Sequence, residues 1–137
     1  MATTNLTLVD TNVLLDLFTN DPVWAQWSVR QLDVAASKGA LAINDVVYAE
    51  LSVRFDSIEV LDSVLGEAAI TLAPMPRPAL FLAGKAFRRY RTSGGVRTGV
   101  LPDFFIGAHA VVAGLTLLSR DAKRYRSYFP KIDLVAP

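Results

Sequence analysis

Short apolar runs alternating with longer helical stretches constrain this chain most. Leu6–Val9, Ala40–Ile43, Ala69–Leu72 and Thr116–Leu118 each read as a short buried strand, with Ile132–Val135 a candidate fifth. Helix punctuation fills the gaps between them. Asp10-Thr11-Asn12 offers capping groups before Val13–Phe18, and Asp21-Pro22 opens a second helix, through Trp24 and Trp27, that Gly39 stops. Asn44 or Asp45 caps a helix carrying Glu50, and Ser57–Leu65 is a helix closed by Gly66. Pro74, Pro76 and Pro78 open a helix through Leu82, Ala86 and Tyr90, and Pro102 starts another that Gly114 ends. Asp121–Phe129 is a short helix stopped by Pro130, and Ser93–Gly99 is the least ordered internal stretch. Strands that alternate with helices imply a parallel sheet covered on both faces. The expected fold is therefore α/β: a three-layer α/β/α sandwich around a parallel sheet of four to five strands. A length of 137 residues and a hydrophobic fraction of 52% fit one domain spanning residues 1–137, with a real core.

Four carboxylates stand beside these apolar runs. Asp10 ends the first strand, and Glu50 is the only charge between Val46 and Val53. Asp103 is the only charge between Val100 and Leu118, taking His109 as neutral, and Asp121 follows Leu117-Leu118-Ser119-Arg120. Acids are rarely buried unless paired or bound to metal. In open α/β sheets ligands bind beyond the carboxyl ends of the strands, and one sheet edge could gather all four. Each acid alone has a plainer reading. Asp10, Asp103 and Asp121 could serve as helix caps or first-turn charges, and Glu50 could simply reach solvent. Asp16, Asp21 and Asp45 read as structural, with Asp16 open to a supporting role behind the site.

Composition narrows the chemistry. The chain has no cysteine and one histidine, which excludes disulfides and thiolate sites and argues against zinc. Oxygen donors remain, and they suit Mg²⁺ or Mn²⁺. The missing cysteines fit a cytoplasmic location. No apolar run reaches the roughly 18 residues of a membrane span. The first apolar run has no preceding Lys or Arg and is interrupted by Asp10, which argues against a signal peptide. The formal net charge of +1 conceals an asymmetry. Residues 1–68 hold three basic and ten acidic residues, whereas residues 69–137 hold eleven basic and three acidic ones. A basic surface beside an acidic site is one reading, and solvated helix faces of differing sign are the other.

The residues around the four acids resemble those of the PIN-domain ribonucleases. Leu8-Val9-Asp10-Thr11-Asn12-Val13-Leu14-Leu15-Asp16 resembles their opening strand and turn, and Val47-Tyr48-Ala49-Glu50-Leu51 their acidic helix. Pro102-Asp103-Phe104-Phe105-Ile106-Gly107-Ala108 resembles the third acidic motif. Leu117-Leu118-Ser119-Arg120-Asp121, with Tyr125 and Phe129-Pro130, resembles the closing one. The resemblance spans essentially the whole chain, and its compact form is similar to the VapC-type toxins of bacterial toxin–antitoxin pairs. It implies a Mg²⁺-dependent endoribonuclease, with Mn²⁺ as an alternative ion, leaving a 3′-hydroxyl and a 5′-phosphate. It assigns Asp10 and Asp103 as main metal ligands, Glu50 and Asp121 as ligands directly or through water, and Thr11, Asn12 and Ser119 as polar groups that line or orient the site. It also implies a cognate antitoxin and a homodimer. Two departures stand out: Phe104-Phe105 is bulkier than the small residues common after the third acid, and Ser119 stands where Thr is frequent.

For RNA contact the candidates are Arg88 and Arg89, in the run from Lys85 to Arg91, with Arg97 in the following loop and Arg120 beside the last acid. Lys123, Arg124 and Arg126 also flank that acid. Such runs are usually solvated helix faces. Tyr90 and Tyr125 are available for stacking, His109 reads as a packing or surface residue, and Trp24 and Trp27 as core or interface. Three rivals to the toxin reading follow. One is an RNA-processing nuclease without an antitoxin, and another is a catalytically inactive RNA- or protein-binding module. The third is an aspartyl-phosphate phosphohydrolase, which would want a second Asp where Asn12 stands.

Overall fold

The computed structural model describes residues 6–97 and 99–137. Residues 1–5 and Thr98, within the Gly-rich stretch, lie outside the described residues. Five strands form one sheet: β1 (Thr7–Val9), β2 (Leu41–Ile43), β3 (Ile70–Leu72), β4 (Thr116–Leu118) and β5 (Leu134–Val135). The spatial order is β3-β2-β1-β4-β5, and every pairing is parallel. Leu8 sits level with Ala42 on one side and Leu117 on the other. The helices are α1 (Thr11–Thr19), α2 (Ala25–Lys38), α3 (Asp45–Ser52), α4 (Ile58–Glu67), α5 (Arg77–Thr92), α6 (Leu101–Ala113) and α7 (Ala122–Tyr128). This is the expected α/β arrangement, with the candidate fifth strand present.

The strands are only two or three residues long, and β1, β2 and most of β4 are buried. Such strands gain little from intrinsic propensity. They hold because Leu8, Val9, Ile43, Leu117 and Leu118 pack against Leu14, Leu51, Leu61 and Ile106 of the covering helices. A second, aromatic cluster joins α5, α6 and α7. Phe104 is fully buried there, stacked on Tyr128 at 4.2 Å and edge-on to Phe87 and Phe129. The bulk at Phe104 thus goes into the helix packing.

Three boundaries differ from the sequence expectation. The second helix starts at Ala25 and not at Pro22, because the Asp21 side chain accepts from Val23 and Trp24 N–H, 2.9 Å each, and holds residues 22–24 as a turn. Helix α4 passes through Gly66 and ends at Glu67, since that glycine keeps helical geometry and Ala69 takes the left-handed turn with φ 56°. The Gly-rich stretch is tied down in part. Gly95 N–H donates to the Tyr90 carbonyl and Arg97 N–H to the Tyr90 hydroxyl, both at 2.9 Å, and a Cβ on Gly95 would strike the Tyr90 ring at 2.5 Å.

The chain runs from β1 outward to β2 and β3, then crosses to β4 on the opposite side of β1. The switch point between β1 and β4 is where open parallel sheets leave a crevice. Asp10 follows β1 and Asp121 lies three residues past β4, so this topology sets both acids at one crevice.

Candidate active site

Asp10 is 4% exposed and divides its two oxygens between tasks. Oδ1 accepts from Thr11 N–H at 2.8 Å, the capping role available to a helix-opening acid. Oδ2 faces the crevice and accepts from Ser119 Oγ at 2.7 Å, Tyr125 Oη at 3.0 Å and, longer, Asn12 Nδ2 at 3.4 Å. One oxygen of Asp10 thus caps α1 while the other faces the crevice. Burial pushes its pKa up to about 7, and the nearby Asp103 charge adds to the rise against the hydrogen bonds from Ser119, Tyr125 and Thr11.

Asp103, on the first turn of α6, lies on the other side of the same tyrosine, with Oδ1 3.5 Å from Tyr125 Oη. Burial raises its pKa and Asp121 raises it further, while Arg124 pulls it down. Asp121 is reached by Asn12 Nδ2 at 3.3 Å, and its backbone N–H donates to Ser119 Oγ at 3.0 Å. It makes no side-chain cap for α7. Glu50 stands apart from these three. It is exposed on α3 and is joined to the group only through the Thr11 hydroxyl, which donates to Oε1 at 2.7 Å.

The structure thus brings Asp10, Asp103 and Asp121 to one crevice with Asn12 and Ser119 between them, and leaves Glu50 at the rim behind Thr11. Among the described residues no three acids stand close enough to share one ion as they are. Protein donors fill the space between them: the Tyr125 hydroxyl, the Asn12 amide and the Arg124 guanidinium. Arg124 Nη1 lies 2.5 Å from Asp103 Oδ2 and 3.7 Å from Asp121 Oδ2. The donor set is otherwise hard oxygen carrying excess negative charge, which suits a divalent cation such as Mg²⁺.

Tyr125 is fully buried, so it packs and hydrogen-bonds and has no face for a base. Close approach makes this possible. Gly107 faces it from α6, and a Cβ there would meet the Phe129 ring at 2.4 Å and the Tyr125 ring at 3.2 Å. The small residue of the third acidic motif lets α7 close over the acids.

Arg120 is partly exposed but pinned on Asp16. Its guanidinium donates from Nη2 to Asp16 Oδ1 at 3.0 Å, with Nε in ion-pair contact with Oδ2 at 2.8 Å, and lies 5.1 Å over the Trp24 ring, and its backbone N–H donates to Asn12 Oδ1 at 3.3 Å. Asp16 is 2% exposed and also accepts from Ser28 Oγ at 2.7 Å. This network fixes the Ser119-Arg120-Asp121 turn from behind. Arg88, Arg89 and Arg97 are exposed. Arg97 lines an open pocket of about 530 Å³ with Tyr90, Arg120, Lys123, Arg124 and Asp121, so it borders Asp121. Arg89 lines a neighbouring pocket of about 350 Å³ with Tyr90 and Tyr128. His109 is buried, and its Nδ1 faces Asn44 Nδ2 at 3.2 Å, with burial lowering its pKa. It packs α6 onto α3, away from the acids.

A family model for the PIN domain matches residues 7–130. The chain belongs to the PIN domain family. PIN domains are a family of nucleases, and the crevice described above gathers three of this chain's four motif acids. Solved structures share the fold along nearly the full length. VapBC2 from Rickettsia felis bound to a promoter DNA fragment aligns with a TM-score of 0.74 at 19% identity, covering 96% of this chain and 98% of that one. VapBC-1 from nontypeable Haemophilus influenzae aligns with 0.73 at 16%, covering 96% and 97%. DNA-bound VapBC from Salmonella typhimurium aligns with 0.69 at 18%, covering 95% and 96%. Identities this low establish the fold alone. No curated protein matches. Among the described residues no helix is long and apolar enough to cross a membrane.

Two contributors to this PIN site are weakly signalled in sequence. Arg124 reads there only as one of several basic residues, and Tyr125 as a stacking candidate. Their positions three and four after Asp121 put them on its side of a helix, which is the signal that was available.

Proposed function

We propose that this PIN domain is a Mg²⁺-dependent endoribonuclease, with Mn²⁺ as an alternative ion, and the VapC-type toxin of a toxin–antitoxin pair. The observation that carries the reading is the meeting of Asp10, Asp103 and Asp121 at the β1–β4 switch point of a PIN fold. Asp10 and Asp103 would hold the ion, with Asp121 and Glu50 binding directly or through water. A bound divalent ion supplies charge neutralisation at the phosphate and a lowered pKa for water. The chain's own groups orient the acids. Ser119 and Tyr125 donate to Asp10, Asn12 spans Asp10 and Asp121, and Thr11 sets Glu50. Arg97 and Lys123 flank Asp121 in the open pocket, where backbone phosphates of RNA would lie, and Arg89 extends the basic surface.

The partner reading rests on the toxin–antitoxin complexes that share this fold. It predicts an antitoxin that blocks or disturbs the crevice, a homodimer, a cytoplasmic location and a single nuclease domain over residues 1–137. One observation favours a second reading, a catalytically inactive binding module: no three acids converge at ligating distance among the described residues. RNA cleavage by purified protein in Mg²⁺, Mn²⁺ or EDTA, beside Asp103→Asn, separates them. Cutting that needs metal and vanishes in the variant supports the nuclease. Folded protein that neither binds metal nor cuts any RNA supports the binding module.

A further inference from the structure

We infer that Arg124 is a built-in counterion of the acidic site, and that a divalent cation binds by displacing its guanidinium from Asp103 and Asp121. The inference rests on the metal-centre reading above and adds a residue to it. Arg124 Nη1 alone makes both contacts, 2.5 Å to Asp103 and 3.7 Å to Asp121. These are the carboxylates that a cation would use. Mg²⁺ takes oxygens at about 2.1 Å, so ion and guanidinium would compete for the same Asp103 lone pairs, and two cations a few ångströms apart repel.

The geometry of the clamp suits exchange. Arginine binds a carboxylate most firmly through two parallel N–H bonds. Here the contact is end-on through one nitrogen, Nη1. Arg120 differs: Nη2 hydrogen-bonds one Asp16 oxygen while Nε lies in ion-pair contact with the other at 2.8 Å, and its guanidinium rests over Trp24. The two side chains are similarly exposed, 24% for Arg124 and 28% for Arg120, so contact geometry is what separates them. Arg124 also lines the open pocket beside Arg97 and Lys123, which gives the guanidinium somewhere to go. One arginine of the pair is therefore a fixed brace and the other a displaceable charge. Without the cation, Arg124 compensates acids that would otherwise repel one another. With it, the same charge faces the pocket proposed for the phosphate.

The test is Mn²⁺ binding, followed by titration calorimetry and by the paramagnetic resonance of free Mn²⁺. Wild type, Arg124→Gln and Arg124→Lys are compared, with Asp103→Asn as the control for the site. Arg124→Gln should bind Mn²⁺ roughly 10-fold more tightly than wild type, and Arg124→Lys, which keeps the charge, should stay near wild type. Mn²⁺ should also raise the melting temperature of Arg124→Gln more than that of wild type, a readout that works even if the metal-free variant is less stable. Equal or weaker Mn²⁺ affinity in Arg124→Gln, with binding intact in wild type, overturns the counterion role and leaves the metal centre standing. No binding by wild type or by either Arg124 variant overturns the metal centre and this inference together.

Discussion

The Tyr125 hydroxyl lies 3.0 Å from Asp10 Oδ2 across 115 positions of sequence, and 3.5 Å from Asp103 Oδ1. A phenol held between two carboxylates is a strong donor site. Burial and the charges of Asp10 and Asp103 raise its pKa well above that of a free tyrosine, so it stays protonated and can donate. Tyr125→Phe keeps the ring in its packing against α6 and removes only that donor. Stability should change by about 1 kcal/mol. Groups that orient metal-binding carboxylates typically matter by roughly 10- to 100-fold in metal affinity or activity, and cleavage should fall within that range. Unchanged cleavage by the folded variant would show that Tyr125 only packs.

The buried Asp10 makes stability depend on pH. Its folded pKa of about 7 lies above the ordinary aspartate value of 3.8. The folded state therefore binds this proton more tightly than the unfolded chain does. The resulting stabilisation is full below about pH 4 and is lost as pH rises towards 7. The span is on the order of 4 kcal/mol, from 1.36 kcal/mol per unit. Denaturant melts in EDTA between pH 4 and 8 should show wild type losing stability relative to Asp10→Asn. Parallel pH profiles for the two proteins would count against it. Divalent metal should stabilise wild type more at pH 8 than at pH 5.

Arg120 is read as a brace for the Asp121 turn, with Asp16 as its anchor. Removing the arginine leaves Asp16 buried with Ser28 as its remaining side-chain partner. Breaking a buried pair costs 3–5 kcal/mol, and partial exposure of Arg120 lowers the expectation for Arg120→Ala to about 2 kcal/mol. Arg120→Ala and Asp16→Ala should be strongly non-additive in a double-mutant cycle. Additive losses would mean that the two residues act independently.

Gly107 is where α6 lets α7 approach. A methyl group there would meet the Phe129 ring at 2.4 Å. Gly107→Ala should cost roughly 1–3 kcal/mol through overpacking. It should also reduce cleavage, because Tyr125 lies on the same helix as the displaced edge. Melting temperature and RNA cleavage together check this, and a variant as stable and active as wild type would show that α7 can shift freely.

Arg97 borders Asp121, whereas Arg88 lines neither of these pockets. Arg97→Ala should weaken RNA binding and reduce the slope of affinity against salt by about one. Arg88→Ala should do less. Equal effects would mean a diffuse basic surface and not a track beside the acids.

The sequence by itself determined the alternation of strands and helices, hence the parallel sheet, because buried strands and capped helices leave local marks. It also singled out Asp10, Glu50, Asp103 and Asp121, since a carboxylate beside an apolar run is conspicuous wherever it lies in space, and the fold brings three of them to one crevice and leaves Glu50 at the rim. It left the start of α2 and the end of α4 misplaced: one turn is set by the Asp21 side chain and the other by a positive φ at Ala69. Only the tertiary structure decided which groups face the acids. Arg120 and Arg124 are four residues apart in one basic run. One is locked on Asp16 and the other rests on Asp103, a difference set by what packs opposite each. Tyr125, a stacking candidate in the sequence, is buried where Gly107 leaves room for it. Local patterns record a residue's own preference for burial or exposure. Partner choice depends on contacts between 21 and 115 positions apart, which only the folded chain brings within hydrogen-bonding distance.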